Sequence, residues 1–275
     1  MWNPQQYLQF QIERDRPFFD LLAQVQGDPQ QIADLGCGTG HLSAALSRRW
    51  PKAQVTGVDS SPEMLEQAEQ FVSSHLGFVR ADLRTWQPER PVDLLLSNAA
   101  LQWVDNHAEL IPRLAGWVAP GGTFAFQVPG NFDAPSHTLL AEVSARPHWK
   151  LLLSGQQRDK AALSAYGPAE YTAVLAPLGY RVNAWETTYL HLLPAQENAV
   201  LDWVKGTALR PVLAQLSAAQ SAEFLQEYGE ELNKAYPAKS YGTPFEFRRI
   251  FVVAQRDEPA ALKVAATQQL RRPKC

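Results

Sequence analysis

The chain has 275 residues, 45% of them hydrophobic and 19% charged, with a formal net charge of −3 and a pI near 6.1. That length and apolar content suit one large α/β domain with a packed core, and they exclude disorder as the default. The mildly acidic balance gives no reason to expect nucleic acid or an anionic membrane surface as a partner.

Read in chain order, the N-terminal MWNPQQYLQFQIERDRP lacks the apolar core of a signal peptide. A short strand over 31–35 runs into GCGTG, and a helix follows over 42–50 until Pro51 stops it. A second strand spans 54–58. Ser60-Ser61-Pro62-Glu63 then has the marks of a helix start: a hydroxyl cap, a proline in the first turn and an early acid. Strands are expected at 77–80, 92–96 and 123–128, with a helix at 110–117. Beyond Pro129 the rhythm weakens. Segments 180–191 and 247–254 return to strand character, and 196–209 and 218–236 read as helices. Strand–helix alternation predicts a doubly wound, mostly parallel sheet covered on both faces. The expected organisation is a single domain over 1–256, with helical cap segments at about 130–170 and 193–245 and a tail over 257–275. No apolar run approaches the roughly 20 residues of a membrane span. Cys37 and Cys275 have no CxxC spacing, so no disulfide framework or metal site is expected. The expectation is a cytoplasmic monomer without metal, nucleic acid or membrane partners.

Three carboxylates stand at successive predicted strand tips. ADLGCGTG places Asp34 directly before a loop of Gly36, Gly38 and Gly40, whose bare backbone allows close approach of a ligand. An acid there repels a pyrophosphate and favours a ligand carrying a cation; its plainer role is to cap the turn. Asp59 ends QVTGVD, where an acid can accept both hydroxyls of a ribose. Asp82 follows FVRA, placed to accept from an adenine amino group. This set resembles the class I S-adenosylmethionine-dependent methyltransferases. The resemblance implies a Rossmann-like sheet, mostly parallel with an antiparallel last strand, plus a helical cap. It implies S-adenosyl-L-methionine as cofactor, held by Asp34, Gly36, Gly38 and Gly40 at the methionine part, Asp59 at the ribose, Asp82 and Leu83 at the adenine, and Asn98. Met64 in SSPEML would be an apolar shelf for the base, or a core residue on a helix face.

The stretch SNAALQWV, residues 97–104, follows the fourth strand and carries no His, Asp, Glu, Lys or Cys. A carboxylate acceptor needs no base, because with an ordinary pKa near 4 it is ionised at pH 7. Asn98, Gln102 and Trp103 would then position the acceptor. His107 is the rival base, or else the start of the next helix. WNPQQYLQF, ERDRP, ETTYLHLLP, DWVKGTALRP and RRIFVVAQR carry a narrower resemblance, to trans-aconitate methyltransferases. It implies esterification of one carboxylate of trans-aconitate, a small tricarboxylate, with another dicarboxylic acid or a malonyl thioester as the alternative acceptor. Arg210 and Arg249 are candidate cations for the remaining carboxylates, since a guanidinium binds carboxylate bidentately. His191 shares a strand face with Tyr189 and is a candidate donor; Tyr7 is a candidate lid aromatic. Arg14 and Arg16 are expected on an N-terminal helix covering the cofactor.

Overall fold

The computed structural model describes residues 11–153, 165–206 and 208–258, with the side chains of 11 and 12 left aside. Tyr7 and nearly all of the tail over 257–275 lie outside the described residues. The elements in order are α1 (Gln11–Ala23), β1 (Gln31–Leu35), α2 (His41–Arg49), β2 (Gln54–Asp59), α3 (Pro62–Ala68), β3 (Leu76–Arg80), β4 (Val92–Asn98), α4 (His107–Ala115), β5 (Val118–Pro129), α5 (Pro135–Ser144), α6 (Pro147–Leu152), α7 (Pro168–Leu175), β6 (Tyr180–Leu193), α8 (Ala199–Lys205), α9 (Arg210–Leu213), α10 (Ala218–Ala235) and β7 (Thr243–Arg256).

The seven strands form one sheet in the order β3-β2-β1-β4-β5-β7-β6, mostly parallel with one antiparallel strand. Asp34 pairs with Gly57 of β2 and Leu96 of β4, so β1 is central and its tip faces the two neighbouring loops. Leu94, Leu95 and Leu96 are fully buried, as a strand covered on both faces requires. The sequence signal at Ser61 is realised: its hydroxyl accepts from the Met64 amide at 3.3 Å, with Pro62 opening α3.

Two expected boundaries shift. The helix predicted over 110–117 starts three residues earlier, because Asn106 adopts φ 57° and turns the chain into it. The helix predicted over 196–209 is shorter: α8 covers Ala199–Lys205 and is C-capped by Gly206, and the separate α9 begins only at Arg210.

The chain divides into two compact units. Among the described residues the sheet unit comprises Phe18–Val128, Tyr166–Trp185 and the stretch 250–258; the helical unit comprises 11–17, 129–153, Ala165 and, apart from position 207, Glu186–Arg249. The helical unit has its own core, in which Trp149, Trp203, Phe224, Tyr228, Leu232 and Phe245 are buried together. Among the described residues no helix is long and apolar enough to cross a membrane.

Candidate functional site

The sheet unit gathers the acids and the glycine loop at the carboxyl ends of β1 and β2. Gly36, Gly38 and Gly40 all adopt positive φ, at 73°, 54° and 76°. Their reasons differ. A Cβ on Gly36 would lie 2.1 Å from the Ala100 Cβ, and one on Gly40 would strike Ala68 and Phe78 at 2.7 Å. These two glycines allow close packing. A Cβ on Gly38 would meet nothing within 4 Å, so Gly38 presents bare backbone to open space, as a loop that cradles a ligand must.

The acids fasten this loop. The Gly38 amide donates to Asp59 Oδ2 and the Ser61 amide to Asp59 Oδ1, both at 2.9 Å, so one carboxylate ties the loop to the start of α3. Each carboxylate oxygen keeps a further lone pair for a hydroxyl. The Gly36 amide is held by the Val58 carbonyl at 2.7 Å. Asp34 is buried and accepts from Ser43 Oγ of α2 at 2.6 Å. Burial is the main force raising its carboxyl to about 6; the Ser43 hydroxyl opposes it and the Asp59 charge adds to it. Cys37, buried in the loop, has its thiol pushed up by burial and by the charges of Asp34 and Asp59, so it stays protonated.

At the third strand tip Asp82 is gripped by Arg84, whose Nε donates to Oδ1 at 2.9 Å and whose Nη2 lies 2.5 Å from Oδ2. That fork holds the Asp82 carboxyl down at about 2. Asp82 therefore has a cation partner that its position at a strand tip did not announce. Leu83 is buried, and its carbonyl accepts from Arg113 Nη2 at 2.6 Å. Met64 is half-buried in the first turn of α3.

The lip after β4 lies directly on the loop, through the Gly36–Ala100 approach. Ala99 has φ 54°, a left-handed conformation unusual for a residue with a Cβ. Asn98 is half-buried, and its Oδ1 accepts from Gln127 Nε2 at 2.6 Å, which orients the amide. Gln102 is buried; its Nε2 donates to the Ala99 carbonyl at 2.6 Å, and its Oε1 has no hydrogen-bond partner among the described residues. Trp103 is 42% exposed. His107 is committed elsewhere: Nδ1 meets Tyr171 Oη at 2.8 Å and Nε2 the Leu101 carbonyl at 3.0 Å. Donation from Nε2 to that carbonyl leaves Nδ1 to accept from the phenol, and burial lowers the imidazole pKa. His107 opens α4 as a neutral structural residue.

In the helical unit, His191 is buried and lies 6.2 Å from Tyr189 ring to ring, nearly parallel, as two residues on one strand face should. It also stacks on Trp203 at 4.7 Å. Arg16 lies over Tyr189 at 5.0 Å, Arg14 over Trp203 at 5.2 Å, and buried Arg249 over Phe247 at 4.5 Å. Burial first, then the charges of Arg249 and Arg16, lower His191 to about 4. Arg210 is exposed at the start of α9.

Sequence reasoning missed Ser43, Arg84 and Gln127, each of which orients an acid or amide that it found. Ser43 had a readable signal, since it stands three residues beyond the last loop glycine, in the first turn of the next helix. Gln127 had none: its pairing with Asn98 depends on the β4–β5 register.

Comparison with known proteins follows this geometry. A methyltransferase-domain family model matches residues 32–122. The chain is 50% identical over 264 residues to the trans-aconitate 2-methyltransferase of Streptomyces avermitilis, covering 93% of this chain and 97% of that one. It is 42% identical to the protein of the same name from Escherichia coli O1:K1, covering 94% of this chain and 99% of the relative. Among solved structures, the phosphoethanolamine N-methyltransferase 2 of Haemonchus contortus with S-adenosyl-L-methionine superposes with a TM-score of 0.51 at 15% identity, covering 88% of this chain and 53% of that one. The last comparison speaks to the fold.

Proposed function

This chain belongs to the trans-aconitate 2-methyltransferase family, and from that premise we propose how its residues divide the work of methylating a carboxylate of trans-aconitate. The enzyme is an S-adenosylmethionine-dependent carboxyl O-methyltransferase, and its products are a monomethyl ester and S-adenosyl-L-homocysteine. When bound, S-adenosyl-L-methionine supplies a sulfonium methyl group, taken by a carboxylate oxygen in an in-line displacement that leaves the C–S electron pair on sulfur.

The residues of the sheet unit fit that cofactor. The open backbone at Gly38 admits the methionine part. Asp34, carrying charge beside the loop, attracts its ammonium group. Asp59, already oriented by two backbone donors, accepts from the ribose hydroxyls. Asp82 and the Leu83 backbone flank the adenine, Met64 covers the base, and Asn98, oriented by Gln127, completes the set.

The observation that carries the carboxylate reading is the double commitment of His107. Both of its ring nitrogens are bonded inside the fold, so the imidazole that follows SNAALQWV is not poised to take a proton. An amine or phenol acceptor gains about 10²–10⁴-fold from a positioned base, and a carboxylate at pH 7 has no proton to lose. The work left to the chain is orientation and exclusion of water. Gln102 and Trp103 serve that role at the lip, and His191 and Arg249 supply a donor and a cation for the carboxylates that do not react. Arg210 is a weaker member of the set, being exposed. We take the working species to be a cytoplasmic monomer.

The test is a panel of trans-aconitate, cis-aconitate, isocitrate and citrate, read by S-adenosyl-L-homocysteine formation. Trans-aconitate should turn over fastest. Turnover of an amine or a phenol with none of trans-aconitate overturns the reading.

A further inference from the structure

Arg113, in the last turn of α4, spans two carbonyls of the segment after β3. Its Nη1 donates to the Arg84 carbonyl at 2.8 Å and its Nη2 to the Leu83 carbonyl at 2.6 Å. The guanidinium lies over the Trp117 ring at 5.2 Å, and Trp117 in turn meets Trp86 edge to face at 5.5 Å. A planar fork held on an aromatic face has little freedom, so both of its donors are fixed together. The turn that it grips is closed on itself. The Arg84 amide donates to Asp82 Oδ1 at 2.9 Å, and the Thr85 and Trp86 amides donate to the Asp82 carbonyl at 3.0 and 2.8 Å. One amide of this turn is left over. The Leu83 N–H has no hydrogen-bond partner among the described residues, although Leu83 is buried. Backbone donors of buried residues are almost always paired, so an unpaired one marks a place where a ligand can accept. Arg84 also grips the Asp82 carboxylate, but with its side chain 71% exposed, where an ion pair holds little.

We propose that Arg113 is a positioning residue for the base of the cofactor: by spanning the Leu83 and Arg84 carbonyls it holds the Asp82 carboxylate and the Leu83 amide in one register, and so sets a preference for adenine over hypoxanthine. The proposal rests on the placement of the base at Asp82 and Leu83 given above, and adds a side chain that acts through the backbone rather than on the reacting atoms. The turn presents an acceptor, the Asp82 carboxylate, beside a donor, the Leu83 amide. Adenine presents the complementary pair, because its N6 amino group donates and its N1 accepts. Hypoxanthine carries an oxygen in place of the amino group and a proton on N1, so the same edge presents the reverse pair and meets two mismatches. That discrimination holds only while donor and acceptor keep their spacing, which is what the fork of Arg113 fixes.

The test measures the calorimetric Kd of S-adenosyl-L-homocysteine and of S-inosyl-L-homocysteine in the wild type, Arg113→Met and Arg113→Lys. Methionine keeps an unbranched chain beside Trp117 and removes both donors; lysine keeps the charge and can reach one carbonyl. The wild type should bind the adenosyl ligand about a hundredfold more tightly, as two mismatched hydrogen bonds predict. In Arg113→Met that ratio should fall about tenfold, through weaker binding of the adenosyl ligand with the inosyl ligand nearly unchanged, and Arg113→Lys should recover part of it. KM for S-adenosyl-L-methionine should rise in step, while kcat and KM for trans-aconitate stay within about twofold. A purely structural role would lower the melting temperature and weaken both ligands equally. A wild-type preference for the adenosyl ligand that neither variant reduces overturns the proposal alone, and Arg113→Lys decides this by itself if Arg113→Met does not fold. A wild type that binds the two ligands equally overturns the placement of the base at Asp82 and Leu83, and the proposal with it.

Discussion

Ser43 Oγ donates to Asp34 Oδ2 across 2.6 Å, which makes the acid before the glycine loop and the helix after it one mechanical piece. It also sets a charge. Burial raises the Asp34 carboxyl to about 6, and the Ser43 hydroxyl is the main force opposing that rise. If Asp34 attracts the cofactor's ammonium group as a carboxylate, the affinity should be flat above about pH 7. It should weaken about tenfold per pH unit below pH 6, as the carboxyl takes up a proton. Ser43→Ala removes the opposing bond and should move the bend to higher pH; Asp34→Asn should abolish it. Calorimetry with S-adenosyl-L-homocysteine between pH 5 and 8 checks this, and a profile that Ser43→Ala leaves in place refutes it.

Asp59 does two things that one experiment can separate. Its oxygens hold the Gly38 and Ser61 amides, and the same oxygens are assigned to the ribose. Asp59→Ala should cost on the order of 2–4 kcal/mol of cofactor binding, through lost hydrogen bonds to a charged acceptor. Loop loosening alone would weaken a 2′-deoxyribose analogue as much as the parent cofactor. The ribose assignment predicts that the analogue binds worse than the parent in the wild type and equally in Asp59→Ala. Equal loss of both ligands would reduce Asp59 to a loop fastener.

The glycines make opposite predictions. Gly36→Ala must place a Cβ 2.1 Å from that of Ala100, at a φ of 73°. Both the clash and the strain act on the folded state, so it should lose roughly 2–4 kcal/mol of stability. Gly38→Ala meets no neighbour, and its stability cost should be about 1 kcal/mol from backbone strain. Its new methyl group projects where the ligand approaches, so cofactor affinity should fall more than stability does. Thermal melts paired with cofactor titrations distinguish the two. A stable Gly36→Ala protein would refute the packing argument.

The central strands were readable because each is an apolar run closed by Gly, Asp or Asn: ADLG before the loop, QVTGVD, and VDLLLSN. Local signals also gave the cap at Ser61. What sequence could not give were pairings across elements. Asp82 read as a receptor for adenine, and the residue two positions on turned its carboxylate into half of an ion pair. His107 read as a helix start, with a catalytic base as its rival, until Tyr171, far along the chain, accounted for its second nitrogen. Arg14 and Arg16 sat on a predicted helix with no indication of their partners. Those partners, Trp203 and Tyr189, come from a helix and a strand about two thirds of the chain's length away.

The buried histidines fix how the fold responds to acid. His191 and His137 are both lowered to about 4, chiefly by burial, and His107 is lowered as well. Arg249 and Arg16 push His191 further down, whereas Asp133 partly opposes the shift at His137. An unfolded histidine titrates near 6.5, so between about pH 6.5 and 4 the unfolded chain binds more protons than the folded one, and stability falls with pH across that window. Asp34 works the other way: its folded carboxyl, raised to about 6, takes up a proton before the unfolded one does and partly offsets the loss. Melting temperature should therefore decline from pH 7 to 4.5, more steeply in Asp34→Asn and less steeply in His191→Gln. A tricarboxylate bound beside His191 would raise its pKa, so propane-1,2,3-tricarboxylate should flatten the decline in the wild type and leave His191→Gln little changed. A wild-type slope indifferent to that ligand would mean that the anion does not bind next to His191.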